Sequence, residues 1–248
     1  MDRCRTPPAS AVHFFAELDC RKCAQMTLHN QDLPKTSEGL AAEAKAAQLY
    51  RSFGKRALDI TLILLALPLV MPVVLVLMVL VMTDGGRPFY SQDRVGRSGR
   101  IYRIWKLRSM VLDADQKLEA HLASDPVARA EWDEMQKLKH DPRITRMGRI
   151  LRKSSLDELP QLWNVFRGDM SLVGPRPMMP DQQDLYPGRA YYALRPGITG
   201  PWQVSARNSS SFADRARFDD KYQTDLSLPT DLQLLGATFR VVLRGTGC

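Results

Sequence analysis

ITLILLALPLVMPVVLVLMVLVMT, residues 60–83, runs from Ile60 to Thr83 without a charged side chain. As a helix, about 24 residues reach roughly 36 Å, enough to cross a hydrocarbon core of about 30 Å. Two prolines, Pro68 and Pro72, interrupt the middle of the run. Each lacks an N–H, so the carbonyls of Leu64 and Pro68 lose their helical donors and the run is expected to bend. The flanks point the same way. Arg51, Lys55 and Arg56 precede the run and Arg87, Arg94, Arg97 and Arg100 follow it, and clusters of Lys and Arg mark the cytoplasmic side of a membrane segment. A spanning helix satisfies the length alone. A helix-break-helix hairpin that dips into one leaflet satisfies the prolines and both flanks, provided the freed carbonyls find donors within the protein.

Upstream, residues 1 to about 35 show no periodicity, and no apolar run follows the first basic residues, so neither a packed element nor a signal peptide is expected. The Ala-rich stretch from Ser37 to Tyr50 has high helix propensity and leads into the apolar run. The four cysteines, Cys4, Cys20, Cys23 and Cys248, lie at the extremes of the chain, which is not how a disulfide framework staples a core. Cys20 and Cys23 have metal-ligand spacing without a second pair, so they read as inert. At 248 residues with a formal charge of +8, the chain can bury one sizeable core and favours anionic partners: phosphorylated substrates, an anionic leaflet or nucleic acid. No nucleic-acid reader motif appears, and the basic residues flank the apolar run.

Downstream, Phe89–Gln92 and Ile101–Leu107 read as short strands joined across Gly96 and Gly99. Residues 111 to about 139 carry apolar side chains at helical spacing, predicting amphipathic helices broken near Pro126. A further helix over Ile144–Lys153 places Ile144, Met147 and Leu151 on one face and Arg143, Arg146, Arg149, Arg152 and Lys153 around it. That pattern suits a helix lying on anionic headgroups, and equally a solvated basic face over a core stripe.

Asp157 and Glu158 then stand adjacent in Ser154-Ser155-Leu156-Asp157-Glu158-Leu159-Pro160-Gln161. Ser155 and Glu158 have capping-box spacing, and Asp157 would complement a helix dipole, so the pair could serve only to start a helix. The turn-rich segment Gly168–Pro177, which holds Arg176 between two prolines, argues for placed side chains. Lys106 and Arg108 share one parity, as do Gln92 and Arg94 on the preceding strand. A set of cations beside an acid pair is what phosphate chemistry with a divalent metal requires.

With these residues in view, the sequence resembles the monotopic phosphoglycosyl transferases, the bacterial sugar transferase family of polyprenyl-phosphate hexose-1-phosphate transferases. The resemblance spans about Phe53 to Arg244 and rests on ordered motifs: Lys55-Arg56 with Asp59, Pro72, Gln92-x-Arg94-x-Gly96, Lys106-Leu107-Arg108-Ser109-Met110 and Asp157-Glu158-Leu159-Pro160-Gln161. Asn164-Val165, Gly168-Asp169-Met170-Ser171, Val173-Gly174-Pro175-Arg176-Pro177, Arg195-Pro196-Gly197-Ile198-Thr199-Gly200 and Trp202-Gln203-Val204 follow, with Asp219 and Asp231 at late acidic positions. Met71 stands where the family usually has Ser, and Leu107 replaces an aromatic residue.

The resemblance implies an α-rich α+β monotopic membrane protein with a re-entrant hairpin, interfacial amphipathic helices and a small strand element. It divides the chain into a variable extension (1–50), the membrane hairpin (51–86) and a catalytic domain at the cytosolic face (87–248). Asp157 is then the nucleophile and shares Mg²⁺ with Glu158, while Pro72, with Pro68 as an additional break, bends the hairpin. Gln92, Arg94, Lys106, Arg108, Arg176, Arg195 and Gln203 become the substrate-binding set. The implied partners are a UDP-sugar, polyprenyl phosphate and inner-membrane lipid at the cytoplasmic face; no nucleic acid is expected, and the oligomeric state stays open, a homodimer included. Without the N-terminal spans of larger members, the chain resembles the short form that initiates exopolysaccharide assembly. A membrane-surface adaptor, whose acids merely cap, remains the competing reading.

Overall fold

The computed structural model describes residues 45–135, 138, 140–205 and 211–243. The chain divides into compact units at 1–46 and 47–248, and nearly all described residues belong to the second. Most of the expected N-terminal extension and all four cysteines lie outside the described residues. Of the helix expected over Ser37–Tyr50, residues 45–49 are helical and pass through a π-turn, Tyr50–Gly54, into α1, Lys55–Thr83.

Helix α1 contains both Pro68 and Pro72. The expected division into two helices with a break is not found; one helical element carries both prolines. Each proline removes a single hydrogen bond, and the rest of the ladder continues past it. The helical run Lys45–Thr83 is long and apolar enough to cross a membrane, and little of its apolar window is buried. Leu65, Leu69, Val76 and Val79 project outward, an apolar surface that lipid covers at no cost and water does not. The chain is membrane-associated through this helix.

Both ends of α1 are tied to the same body. At the start, Lys55 Nζ pairs with buried Asp231 at 2.7 Å, and Tyr50 donates to the same carboxylate at 2.6 Å. Arg56 donates to the carbonyls of Val165 and Phe166. Asp59, also buried, accepts from Ser171 Oγ at 2.8 Å and from Leu172 N–H at 3.0 Å. At the far end, Leu77 and Val81 pack in one apolar cluster with Leu107 and Leu151, and Arg108 donates to the carbonyls of Val81 and Gly85. Between the anchors, α1 walls an apolar cavity of about 550 Å³, closed on the other side by Trp105, Leu159, Trp163 and Phe166.

Strands β1 (Phe89–Val95) and β2 (Ile101–Leu107) pair antiparallel, with Gln92 opposite Ile104 and Arg94 opposite Tyr102. Strand β1 runs beyond the expected Gln92 because this register continues to Val95 opposite Ile101. Fully buried Asn164 completes the outer edge of β2, accepting from Trp105 N–H at 3.1 Å and donating to Arg103 O at 2.7 Å. The expected helices on either side of Pro126 are α2 (Ala114–Ser124) and α3 (Pro126–Met135).

The basic helix is α4, Arg146–Ser154, capped by Thr145, which accepts from Gly148 N–H at 2.9 Å. Ile144 lies before the cap and bridges to Met110. Arg152, expected on the headgroup face, turns inward and donates to Ser109 Oγ at 2.9 Å. Beyond α5 (Gln161–Arg167), β3 (Ser171–Val173) runs parallel to β4 (Gly197–Thr199), with a short α6 (Ala190–Ala193) between them. The sequence predicts no strand of this second sheet: Ser171–Val173 falls inside a turn-rich segment, and three-residue strands carry too few side chains to show a period. Helices α7 (Pro201–Ser205), α8 (Arg215–Asp225) and α9 (Leu228–Leu243) follow.

Candidate active site

The acid pair sits at a sharp change of direction. Helix α4 ends at Ser155, whose left-handed backbone (φ 57°) closes the last turn, and a single 3₁₀ turn, Leu156–Glu158, leads through Pro160 into α5. Ser155 makes no side-chain cap, nor does any residue at the start of α5. The capping box expected from the Ser155–Glu158 spacing is therefore absent. Its Ser is used as the C-terminal stop of the preceding helix, a conformation that cannot also present an N-cap hydroxyl.

Glu158 instead meets Lys106 Nζ at 2.8 Å, each side chain about a quarter exposed. Asp157 is 8% exposed. Burial raises its pKa above the ordinary value; Lys106 pulls it back, the neighbouring Glu158 charge pushes it further up, and Arg152 opposes that push. An ionised Asp157 thus depends on nearby positive charge.

Arg94, Lys106, Glu158, Gln161 and Arg176 line a narrow cleft of about 30 Å³. Three cations here face one lining carboxylate. Burial, with the charge of Arg176 contributing, lowers the pKa of Arg94, so an anion entering the cleft would relieve a crowded set of positive groups. Glu158 and Arg176 also border a larger cavity of about 220 Å³, which Gln203 lines from α7. The loop bearing Arg176 lies hard against the start of α7. A Cβ on Gly200 would fall 2.1 Å from Gly174 O, and one on Gly174 2.3 Å from Arg195 O; glycine alone permits this backbone approach.

Lys106, Glu158, Arg94 and Arg176 are thus brought together, with Asp157 adjoining and Gln203 on the neighbouring cavity. Three expected residues stand elsewhere. Gln92 holds Arg94 from behind at 2.7 Å and also donates to Met179 Sδ at 3.5 Å. Arg108 fastens the end of α1, and Arg195 Nε donates to Gly168 O at 3.0 Å; neither lines the cleft. Sequence parity put Arg108 beside Lys106, but β2 ends at Leu107, and the alternation ends with it.

Sequence reasoning missed Arg152 and Arg215. Arg152 lies close enough to Asp157 to shift its titration. A signal was present: Gly148, one turn earlier on α4, has no room for a side chain against Ser109 O, which marks that face as the inner one. Arg215 lies 4.2 Å from the Trp202 ring centroid, and Arg176 lies 5.7 Å from it. Nothing in the local sequence pairs these two arginines.

The profile of the family described as "Bacterial sugar transferase" matches residues 50–245. The chain belongs to this family. It is 50% identical over 197 residues to the UDP-galactose-lipid carrier transferase of Erwinia amylovora, a match covering 79% of this chain and 41% of that protein. It is 47% identical over 197 residues to the undecaprenyl-phosphate galactose phosphotransferase of Salmonella typhimurium, again 79% and 41%. To the exopolysaccharide production protein ExoY of Sinorhizobium fredii it is 42% identical over 208 residues, covering 83% and 92%. The chain therefore spans about two fifths of the first two relatives and nearly all of the third.

Proposed function

We propose that this sugar transferase moves a hexose 1-phosphate from a UDP-sugar to polyprenyl phosphate at the cytoplasmic face of a bacterial inner membrane, the opening step of exopolysaccharide or other glycoconjugate assembly. The observation that carries the reading is buried Asp157 with its partly buried neighbour Glu158 beside a cation-lined cleft, on a body to which both ends of an exposed apolar helix are tied. The relatives' names support the same donor and acceptor classes. Cationic flanks and shared anchorage also favour α1 dipping into one leaflet, with no second face to reach.

In this reading an Asp157 carboxylate oxygen attacks the sugar-bearing phosphorus of the donor, and the bond from that phosphorus to UMP breaks. UMP carries away the electron pair, and an aspartyl-phosphosugar remains. A phosphate oxygen of the polyprenyl phosphate then attacks the same phosphorus, releasing the Asp157 carboxylate and forming the lipid diphosphate sugar. Arg94, Lys106 and Arg176 would hold the phosphate oxygens while charge moves to the leaving group.

The acid pair fits Mg²⁺. It offers hard oxygen donors, and Asp157 is held above its ordinary pKa partly by the like charge of Glu158. Among the described residues no group of three potential ligands exists, which suits an ion that takes one or two carboxylates and draws its other ligands from substrate phosphates and water. Asp157 and Glu158 would hold it, and when bound it supplies charge neutralisation at the diphosphate.

The full chain in nanodiscs, given Mg²⁺, undecaprenyl phosphate and a panel of UDP-sugars, should release UMP with at least one of them. No UMP from any member of the panel would defeat the proposal.

A further inference from the structure

We infer that Gln203 reads the base of the donor nucleotide, its side-chain amide meeting the imide edge of uracil in the cavity of about 220 Å³ that borders Glu158 and Arg176. This rests on the reading of the chain as a nucleotide-sugar enzyme and assigns the donor's recognition subsite.

Gln203 lines the cavity, but both polar atoms of its amide, Oε1 and Nε2, are turned away from solvent and have no hydrogen-bond partner among the described residues, so a base meets them once the amide rotates about its side-chain torsions into the cavity. A buried donor and a buried acceptor left unpaired on one side chain are costly, and native proteins keep such pairs where a ligand completes them. An amide offers one acceptor beside one donor. Uracil presents the complement along one edge, N3–H next to a carbonyl oxygen.

The rest of the cavity argues for a base over the hexose. Leu156, Leu162, Ile198 and Val204 supply apolar wall. Three of the four hydroxyls lining it are already engaged within the protein. Ser154 donates to Ile150 O at 2.7 Å, Thr238 to Leu234 O at 2.7 Å, and Thr199 Oγ1 lies 2.6 Å from Thr238 Oγ1. A hexose carries hydroxyls around its whole ring and would set several against the apolar walls, whereas a flat pyrimidine needs hydrogen bonds along one edge and apolar contact on its faces. Arg176 lines both this cavity and the cation-lined cleft, so a base seated here directs its diphosphate toward the acid pair.

The test is calorimetric binding of UMP, ribose 5-phosphate and 3-methyl-UMP to the full chain in nanodiscs. UMP should bind at least about tenfold more tightly than ribose 5-phosphate, and methylation of N3 should remove that preference. Gln203→Met should remove it as well while leaving ribose 5-phosphate affinity unchanged, and Gln203→Glu, which lacks the donor, should do the same. The 3-methyl-UMP arm uses the native chain, so it decides the matter even if a variant misfolds. Equal binding of UMP and 3-methyl-UMP, or an undiminished preference in folded Gln203→Met, overturns the inference. A native chain that turns over UDP-sugars without any base preference sinks the Gln203 assignment alone. One that prefers UMP but releases none from any UDP-sugar sinks the proposed reaction and leaves the base site standing.

Discussion

The collar that fastens α1 and the cleft beside the acid pair are both built from Lys and Arg, yet they use them in opposite ways. In the collar every cation is matched: Lys55 to Asp231, Arg56 to two backbone carbonyls, Arg108 to the carbonyls closing α1. In the cleft, Arg94, Lys106 and Arg176 face Glu158 as the one lining carboxylate. A cation set among fixed structural partners is a strut; three cations lining one cleft with a single carboxylate leave it net positive, which favours an anion. Residue type therefore does not separate structural from functional arginine here. The net charge of the surface they line does.

The largest effect that could break this comparison is Asp157→Asn. It preserves shape and an accepting oxygen but removes the nucleophile, so UMP release should fall by at least about three orders of magnitude. Removing a charge whose burial is unfavourable should leave the thermal midpoint unchanged or slightly higher. Near-normal UMP release from the folded variant would show that the acid pair does not carry the chemistry. The collar should behave in reverse. Lys55→Met leaves buried Asp231 without its ion pair, which costs roughly 3–5 kcal/mol, and the double change with Asp231→Leu should recover much of that loss. Thermal unfolding in nanodiscs reads both. Should Lys55→Met unfold at the native midpoint, the collar is not a strut.

Much of this was legible before the structure. The apolar run, the hairpin of β1 and β2 and the helices around Pro126 follow from periodicity and turn residues, and the grouping of Arg94, Lys106, Glu158 and Arg176 was what the family resemblance implied. Other features depend on long-range partners that no local pattern encodes. Arg108 looked like Lys106's neighbour on one face, but the carbonyls it meets belong to Val81 in α1 and Gly85 just after it, 27 and 23 residues earlier. Ser155 had the spacing of an N-cap, but the stop of α4 required it in the left-handed region. The charge pattern placed Arg152 on a face turned to headgroups or to solvent, whereas the close approach of Gly148 to Ser109 turns that face inward. The two prolines were also expected to divide the run into two helices, whereas one helical element contains both.

The smallest effect sharpens the comparison at Asp219, a buried carboxylate that has neither the collar's ion pair nor a place on the cleft. It accepts from Tyr186 OH at 2.8 Å. Burial raises its pKa from the ordinary 3.8 to about 7, against the Tyr186 hydrogen bond and the charge of Arg215, with Asp220 adding a further upward push. Between about 3.8 and about 7 the folded chain therefore holds a proton on Asp219 that the unfolded chain has released. Stability rises with pH only where the unfolded state binds more protons, so this group makes the fold less stable as pH climbs through that window, and the loss levels off above it. A carboxylate stabilised as an anion in the fold would contribute the opposite slope. Asp219→Asn keeps an acceptor for Tyr186 but cannot titrate. Its thermal midpoint should match the native chain near pH 4 and exceed it at pH 8, the gap opening across the interval. A gap that instead closes as pH rises would mean that Asp219 is stabilised as an anion by the charge of Arg215.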